Sequence, residues 1–286
     1  MLIDYRQIVL QAEQEAASGE VKRALRQLRK LCLHDFGDFL WQLPLVEFPA
    51  LSQILPRMAS EEIQNAWTGA SGIQMLHGTL DFTRIMQLQY ERICRRPMQQ
   101  ARILDYGCGY GRLARMMYWF SDPEDYFGVD PWERSIEICR DDGLLGSIKQ
   151  SDYLPSALPV GQAQFDLIFS YSVFTHTSLR TTNAGLRVLR DYVHSNGLLV
   201  ITVRPVDFWQ VVNRIPLEER LAQTALHQRD GFAYVPDSFP VIEGEVAFGD
   251  TSMTAAWIER THPYWRVEGY DRGIDRWQTI LMLSPR

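Results

Sequence analysis

At 286 residues the chain is long enough to bury a sizeable core, in one large domain or a core with an appendage. Its net charge of −6, with no long basic tract, argues against DNA or RNA as the main partner. No apolar run reaches the ~18 residues that span a membrane, and Cys32, Cys94, Cys108 and Cys139 lack metal-ligand or redox spacing. These features point to a cytoplasmic protein with reduced thiols and no metal. Met1–Leu10, carrying Asp4 and Arg6, also lacks the basic-then-apolar layout of a signal peptide.

Residues 1–97 read as a helical cap. Tyr5–Ala17 and Val21–Leu33 carry apolar residues at three- and four-residue spacing, with Gly19 between them. Leu43-Pro44 and Phe48-Pro49 then break the chain. A further helix is expected over Thr79–Cys94, and Pro97 closes the region. From Ala101 strands and helices alternate, the pattern of a doubly wound parallel sheet. Strands are expected at Arg102–Tyr106, Tyr126–Asp130, Gly146–Gln150, Asp166–Ser170 and Leu198–Val203, with Asn196-Gly197 turning into the last. Helices are expected at Gly111–Phe120, Trp132–Asp141 and Thr181–His194. The tail, Tyr264–Tyr270 and Arg276–Leu283, adds two strands. Residues 205–263 exceed a normal connection, so an insertion with its own structure, covering an active site, is expected there. The domain reading is thus a cap at 1–97 and a catalytic domain at 98–286.

The strand ending Ile103-Leu104-Asp105-Tyr106 runs into Gly107-Cys108-Gly109-Tyr110-Gly111, a turn where backbone can approach a ligand closely. A nicotinamide fingerprint sets its third glycine one residue later than Gly111. The D-x-G-x-G-x-G order resembles motif I of the class I S-adenosylmethionine (SAM) methyltransferases, and further motifs follow in that family's order over about 101–204. The resemblance implies a seven-stranded, mostly parallel α/β sheet, with SAM as cofactor and S-adenosylhomocysteine (SAH) as product. It places Tyr106, Gly107, Cys108, Gly109 and Gly111 against the methionine part, with Asp105 near its ammonium. Asp130, ending the second strand, is implied to take both ribose hydroxyls, with Pro131 and Trp132 beside the adenine; a helix cap is the competing role for Asp130. Asp152 and Tyr153 after the third strand, and Ser170 and Tyr171 after the fourth, complete the implied cofactor set.

Methyl transfer from a sulfonium asks mainly for in-line alignment, and for a base only when the nucleophile keeps its proton. His176 is the candidate base, because histidine titrates near neutrality, against a purely structural helix-opening role. Tyr171 is a weaker alternative base, as are His77, Asp207 and His262. Two polar, glycine-containing loops, Trp67–Gly72 and Phe248–Met253, are candidates for the acceptor pocket through Trp67 and Asp250. The expected function is SAM-dependent methylation of a small-molecule or sugar-like acceptor, at a hydroxyl. N- or C-methylation, and a non-catalytic SAM-binding protein, are the alternatives.

Overall fold

The computed structural model describes residues 5–286; Met1–Asp4, the start of the segment read above for a signal peptide, lie outside the described residues. Two compact units emerge, one formed by residues up to 87 with 97–150, the other by 88–96 with 151–286.

The first unit opens with α1 (Tyr5–Ala17) and α2 (Val21–Leu28), which pack together through Ile8, Val9, Ala12 and Ala16 and through Ala24, Leu25 and Leu28. The helix expected to continue to Leu33 stops at Leu28. There the Cys32 sulfur accepts the Asp35 amide and starts α3 (Leu33–Gln42), a helix absent from the sequence reading. Gly37 sits mid-helix because α3 lies close against Met116: a Cβ there would stand 2.9 Å from the Met116 sulfur. Next comes α4 (Pro49–Ile54), whose first free amides, Ala50 and Leu51, are satisfied at 2.8 and 2.9 Å by the Glu13 carboxylate of α1. After α5 (Glu61–Thr68), the helix α6 (Gly72–Cys94) starts seven residues before the expected Thr79, since Met75 and Leu76 already belong to its buried face.

Strand β1 (Ile103–Tyr106) is wholly buried, as a parallel central strand requires. The helix expected from Gly111 shrinks to α7 (Ala114–Met117), because Gly111 itself has φ +74° and cannot begin a right-handed helix. Then follow β2 (Tyr126–Asp130), α8 (Glu133–Asp141) and β3 (Ser147–Gln150). The strands pair in parallel, with Asp105 opposite Gly128 and Phe127 opposite Ser147.

The second unit begins its regular structure with β4 (Phe165–Ser170), α9 (Leu179–Tyr192) and β5 (Val193–Val203), β4 and β5 being parallel. Asn196-Gly197 lies inside β5 rather than before it. The register jumps there, Phe165 facing Val193 but Leu167 facing Leu198, so the expected turn is a bulge. The long insertion has its own structure: α10 (Phe208–Val211), α11 (Leu217–Asp230), β6 (Phe232–Pro236), β7 (Val241–Ile242), β8 (Glu245–Val246), β9 (Gly249–Met253) and α12 (Ala255–Thr261). β6 and β9 form an antiparallel ribbon, as do β7 and β8. The chain ends with β10 (Trp265–Asp271) and β11 (Thr279–Pro285), antiparallel to each other, with β11 antiparallel to β5. Strand order in the seven-stranded sheet is β10-β11-β5-β4-β1-β2-β3, the class I methyltransferase arrangement. No helix among the described residues is long and apolar enough to cross a membrane.

Candidate active site

In the first unit the turn after β1 is held from below. The amides of Gly107 and Cys108 both donate to the Val129 carbonyl, at 2.8 and 3.1 Å, and the Gly111 amide donates to Cys108 at 2.9 Å. Gly107, Gly109 and Gly111 all lie at positive φ. Gly111 also has no room for a side chain, since a Cβ would fall 2.4 Å from Leu144. The fully buried Arg115 completes the support, donating to the carbonyls of Gly111 (2.6 Å), Tyr110 (3.3 Å) and Arg57.

Two buried carboxyl groups flank this turn. Asp105 accepts the Tyr126 hydroxyl at 3.0 Å, and burial pushes its carboxyl up to about 8. The Tyr126 bond and the Arg112 charge oppose that shift, while Asp130 reinforces it. Asp130 divides its oxygens: one accepts the Gly109 amide and the other the Trp132 amide, both at 2.9 Å. Burial raises the Asp130 carboxyl as well, and those two amides counter the rise. Asp130 is not itself the helix cap weighed against ribose binding: Trp132 holds the N-cap position of α8, and Asp130 ties that residue's amide to the glycine turn. Each oxygen still has a second lone-pair direction beyond its amide.

Trp132 is 48% exposed and stacks on Trp67 of α5, with ring centroids 4.7 Å apart and planes 22° apart. Trp67 meets Tyr110 edge-on at 5.7 Å, and its ring lies 3.6 Å from where a Gly109 Cβ would stand. Trp67 is thus brought to the glycine turn. It stands on a helix, not on the polar loop read from the sequence. Tyr106 and Cys108 are buried, and Pro131 accepts Gln150 through its carbonyl at 3.1 Å. His77 is exposed on α6, near the His34 ring, and joins none of these residues.

The second unit gathers a different cluster. Ser170 ends β4 fully buried, Tyr171 is half-buried, and Ser172 at φ +59° donates its amide to Thr202 at 2.7 Å. Asp152 is exposed and Tyr153 half-buried, in the chain segment after β3. His176 is engaged at both nitrogens. A carbonyl only accepts, so Nδ1 donates to Gly249 (2.8 Å), and the remaining Nε2 lone pair accepts Nη2–H of Arg204 (3.1 Å). Its ring stacks on Phe248 at 4.8 Å, and burial, then the Arg204 charge, pull it down to about 4.

Arg204 also donates to Thr175 (2.8 Å), lies over the Phe208 ring (4.0 Å) and pairs with Asp250. Asp250 is 1% exposed and pairs on its other oxygen with Arg214, which is 59% exposed. The segment Phe248–Met253 is therefore no loop: Gly249–Met253 is the buried strand β9, whose Asp250 is consumed by two arginines. His262 is buried and bonded to Tyr264 (2.7 Å) and Asn183 (3.0 Å), with burial pulling it to about 4. Asp207 is exposed at the head of α10. Arg204 and Arg214 escaped the sequence reading, although Arg204 stands at the carboxyl end of a strand, where ligands collect in such sheets. Among the described residues no three His, Cys, Asp or Glu side chains converge as a metal site.

Residues 103–197 match a family described as a methyltransferase domain. The magnesium protoporphyrin IX methyltransferase of Synechocystis PCC 6803, solved with SAH, is similar in fold, with 11% identity and a TM-score of 0.50 over 78% of this chain and 92% of that one. The PH0226 protein of Pyrococcus horikoshii OT3 aligns with 15% identity and a TM-score of 0.49, over 72% and 91% of the two chains. An uncharacterised protein of Rickettsia prowazekii (strain Madrid E) is 26% identical over 123 residues, 42% of this chain and 49% of that protein. The match thus spans about half the length of that curated relative.

Proposed function

We propose that this chain, a SAM-dependent methyltransferase by its domain and its class I fold, methylates an oxygen of a small-molecule or sugar-like acceptor. The observation that carries the cofactor half is the glycine turn flanked by two buried carboxyl groups. Gly107, Gly109 and Gly111 all lie at positive φ in that turn, and Asp105 and Asp130 stand at the ends of adjacent parallel strands. This cradle suits a ligand with an ammonium and a diol. Asp105 would hold the ammonium, Asp130 the ribose hydroxyls through its remaining lone pairs, and Trp132 the adenine face. The cofactor, when bound, supplies a methyl group already activated on sulfur. For Asp152, Tyr153, Ser170 and Tyr171 of the second unit, the cofactor role rests on resemblance alone.

The protein's task is then alignment, and His176 is not carried forward as the base. Its lone pair is committed to Arg204, and its low proton affinity makes it a poor acceptor at neutral pH. An oxygen nucleophile that is already an anion, such as a carboxylate or an acidic hydroxyl, fits this arrangement best. The insertion at 205–263 is proposed to cover the acceptor, and residues 1–97 to act as a cap. The cysteines are free thiols, in keeping with a cytoplasmic setting. A panel of carboxylates, phenols, sugars and amines with methyl-labelled SAM tests the reading. Label on acidic oxygens is expected; label confined to amines, or SAH binding without turnover, would replace it.

A further inference from the structure

The Trp67–Trp132 pair has a geometry that bears on how a ligand enters. Stacked at 4.7 Å, the two indoles are in direct contact. A purine held between two rings needs centroids about 7 Å apart, so none fits between these. Trp67 also lies against Gly109, the residue of the turn that Asp130 holds.

The segment that carries Trp67 is organised to move as a piece. α5 buries one residue, Gln64, whose side chain donates to Ala59 (2.7 Å) and accepts the Gly72 amide (3.2 Å). Asn65 donates to Ser71 (3.0 Å) and Thr68 to the Ala70 carbonyl (3.1 Å), so most of the segment's polar bonds are internal. Its boundary to α6 has two left-handed residues, Gly69 (φ +73°) and Gly72 (φ +58°), glycines whose backbone can change conformation at little steric cost. α5 itself meets the body through apolar contact, Ile63 and Trp67 against Tyr110 and Ile138, while the chain ahead of it is pinned where Arg57 pairs with Asp142 (3.0 Å).

We propose that Trp67 is a second adenine-binding residue that closes the site in the free protein: it leaves Trp132 when the cofactor enters and then covers the purine's other face. This rests on the cofactor reading of the glycine turn given above. Trp132 is the fixed jaw, since its amide is tied to Asp130, and Trp67 on α5 is the moving one. The ligand class is a purine nucleoside with a flat base. The chemistry is stacking, which replaces the indole–indole contact with two indole–purine contacts.

The test uses the full chain and SAH, with two readouts. Two stacked indoles give an exciton-coupled circular-dichroism signal, which Trp132→Phe identifies by abolishing it. In the wild-type protein that signal is expected to vanish at saturating SAH. Stopped-flow fluorescence of Trp67→Ala is expected to show SAH leaving roughly tenfold faster, without slower association. Trp67→Phe, which keeps a flat ring, should dissociate within about threefold of wild type. A coupled signal that persists at saturation overturns the proposal, as does unchanged dissociation from Trp67→Ala. If Trp67→Ala does not fold, the wild-type signal decides alone. Failure of the wild type to bind SAH at all overturns the cofactor reading and this proposal with it; binding with the pair intact overturns only this one.

Discussion

Nε2 of His176 lies 3.1 Å from Nη2 of Arg204, a contact that occupies the imidazole's one lone pair. Methylation rates should accordingly show no step near a histidine's usual pKa between pH 5.5 and 7.5. A clear rise through that window, lost in His176→Asn, would restore the base.

The same burial makes stability depend on pH. His176 and His262 both sit at about 4 in the fold against 6.5 unfolded, so between those values the unfolded chain binds more protons. Their contribution is complete above pH 6.5 and drains away as pH falls towards 4. Each adds a slope of about 1.4 kcal/mol per pH unit in that window. Urea titrations of His176→Asn should show the slope between pH 4.5 and 6 lowered by about 1.4 kcal/mol per pH unit; an unchanged slope would mean the ring is charged in the fold.

Asp105 runs the opposite way. Its folded carboxyl, at about 8, holds a proton that the unfolded chain releases near 3.8, so its contribution is full below 3.8 and lost as pH rises through 8. A ligand ammonium arriving at this group should expel the proton. Calorimetry of SAH binding at pH 7 in two buffers of different ionisation enthalpy should report release of roughly one proton. Asp105→Asn should abolish the release. No buffer dependence in the wild type would place the ammonium elsewhere.

Asp130→Ala should cost both stability and affinity, because two amides lose their acceptor along with the proposed ribose contact. About 2–6 kcal/mol of folding stability is the upper range for two amides left without a partner at about 1–3 each, and partial exposure places the expected loss towards its lower end. Chemical denaturation together with SAH calorimetry separates the two losses. A variant with wild-type stability would show the tether to be unimportant.

Asp250 and Arg214 make a paired experiment. Asp250→Ala strands the mostly buried Arg204 and should cost about 3–5 kcal/mol. Arg214→Ala removes an arginine whose side chain is 59% exposed and should cost less than about 1 kcal/mol. Equal losses in urea unfolding would contradict the division of roles.

What the sequence made readable was periodic or local. Strand Tyr126–Asp130 and helix Tyr5–Ala17 stand where expected, because each carries one uninterrupted pattern. α3 is hard to read because Gly37, a poor helix former, sits in the middle of its buried face, and the reason for Gly37 is Met116, far along the chain. The α7 start was misjudged because the left-handed conformation of Gly111 is imposed by the turn, not announced by residue type. Asp105, Asp130 and the glycines form compact motifs, so the strand-to-helix turn they flank is legible from local sequence. The fate of His176 was not legible, since Arg204 lies 28 residues away and Asp250 and Arg214 further still.

The tie between Arg204, just beyond β5, and Asp250, on β9, adds a buried charge pair to the junction between the inserted ribbon and the sheet. Charged groups lose hydration free energy as water warms, so the cost of keeping such a pair dry falls with temperature while apolar contacts gain little more. Heat should therefore loosen this charge pair later than it loosens apolar contacts elsewhere in the insertion. In a warming sample, the β6–β9 ribbon is the part of the insertion expected to keep its amide protons longest.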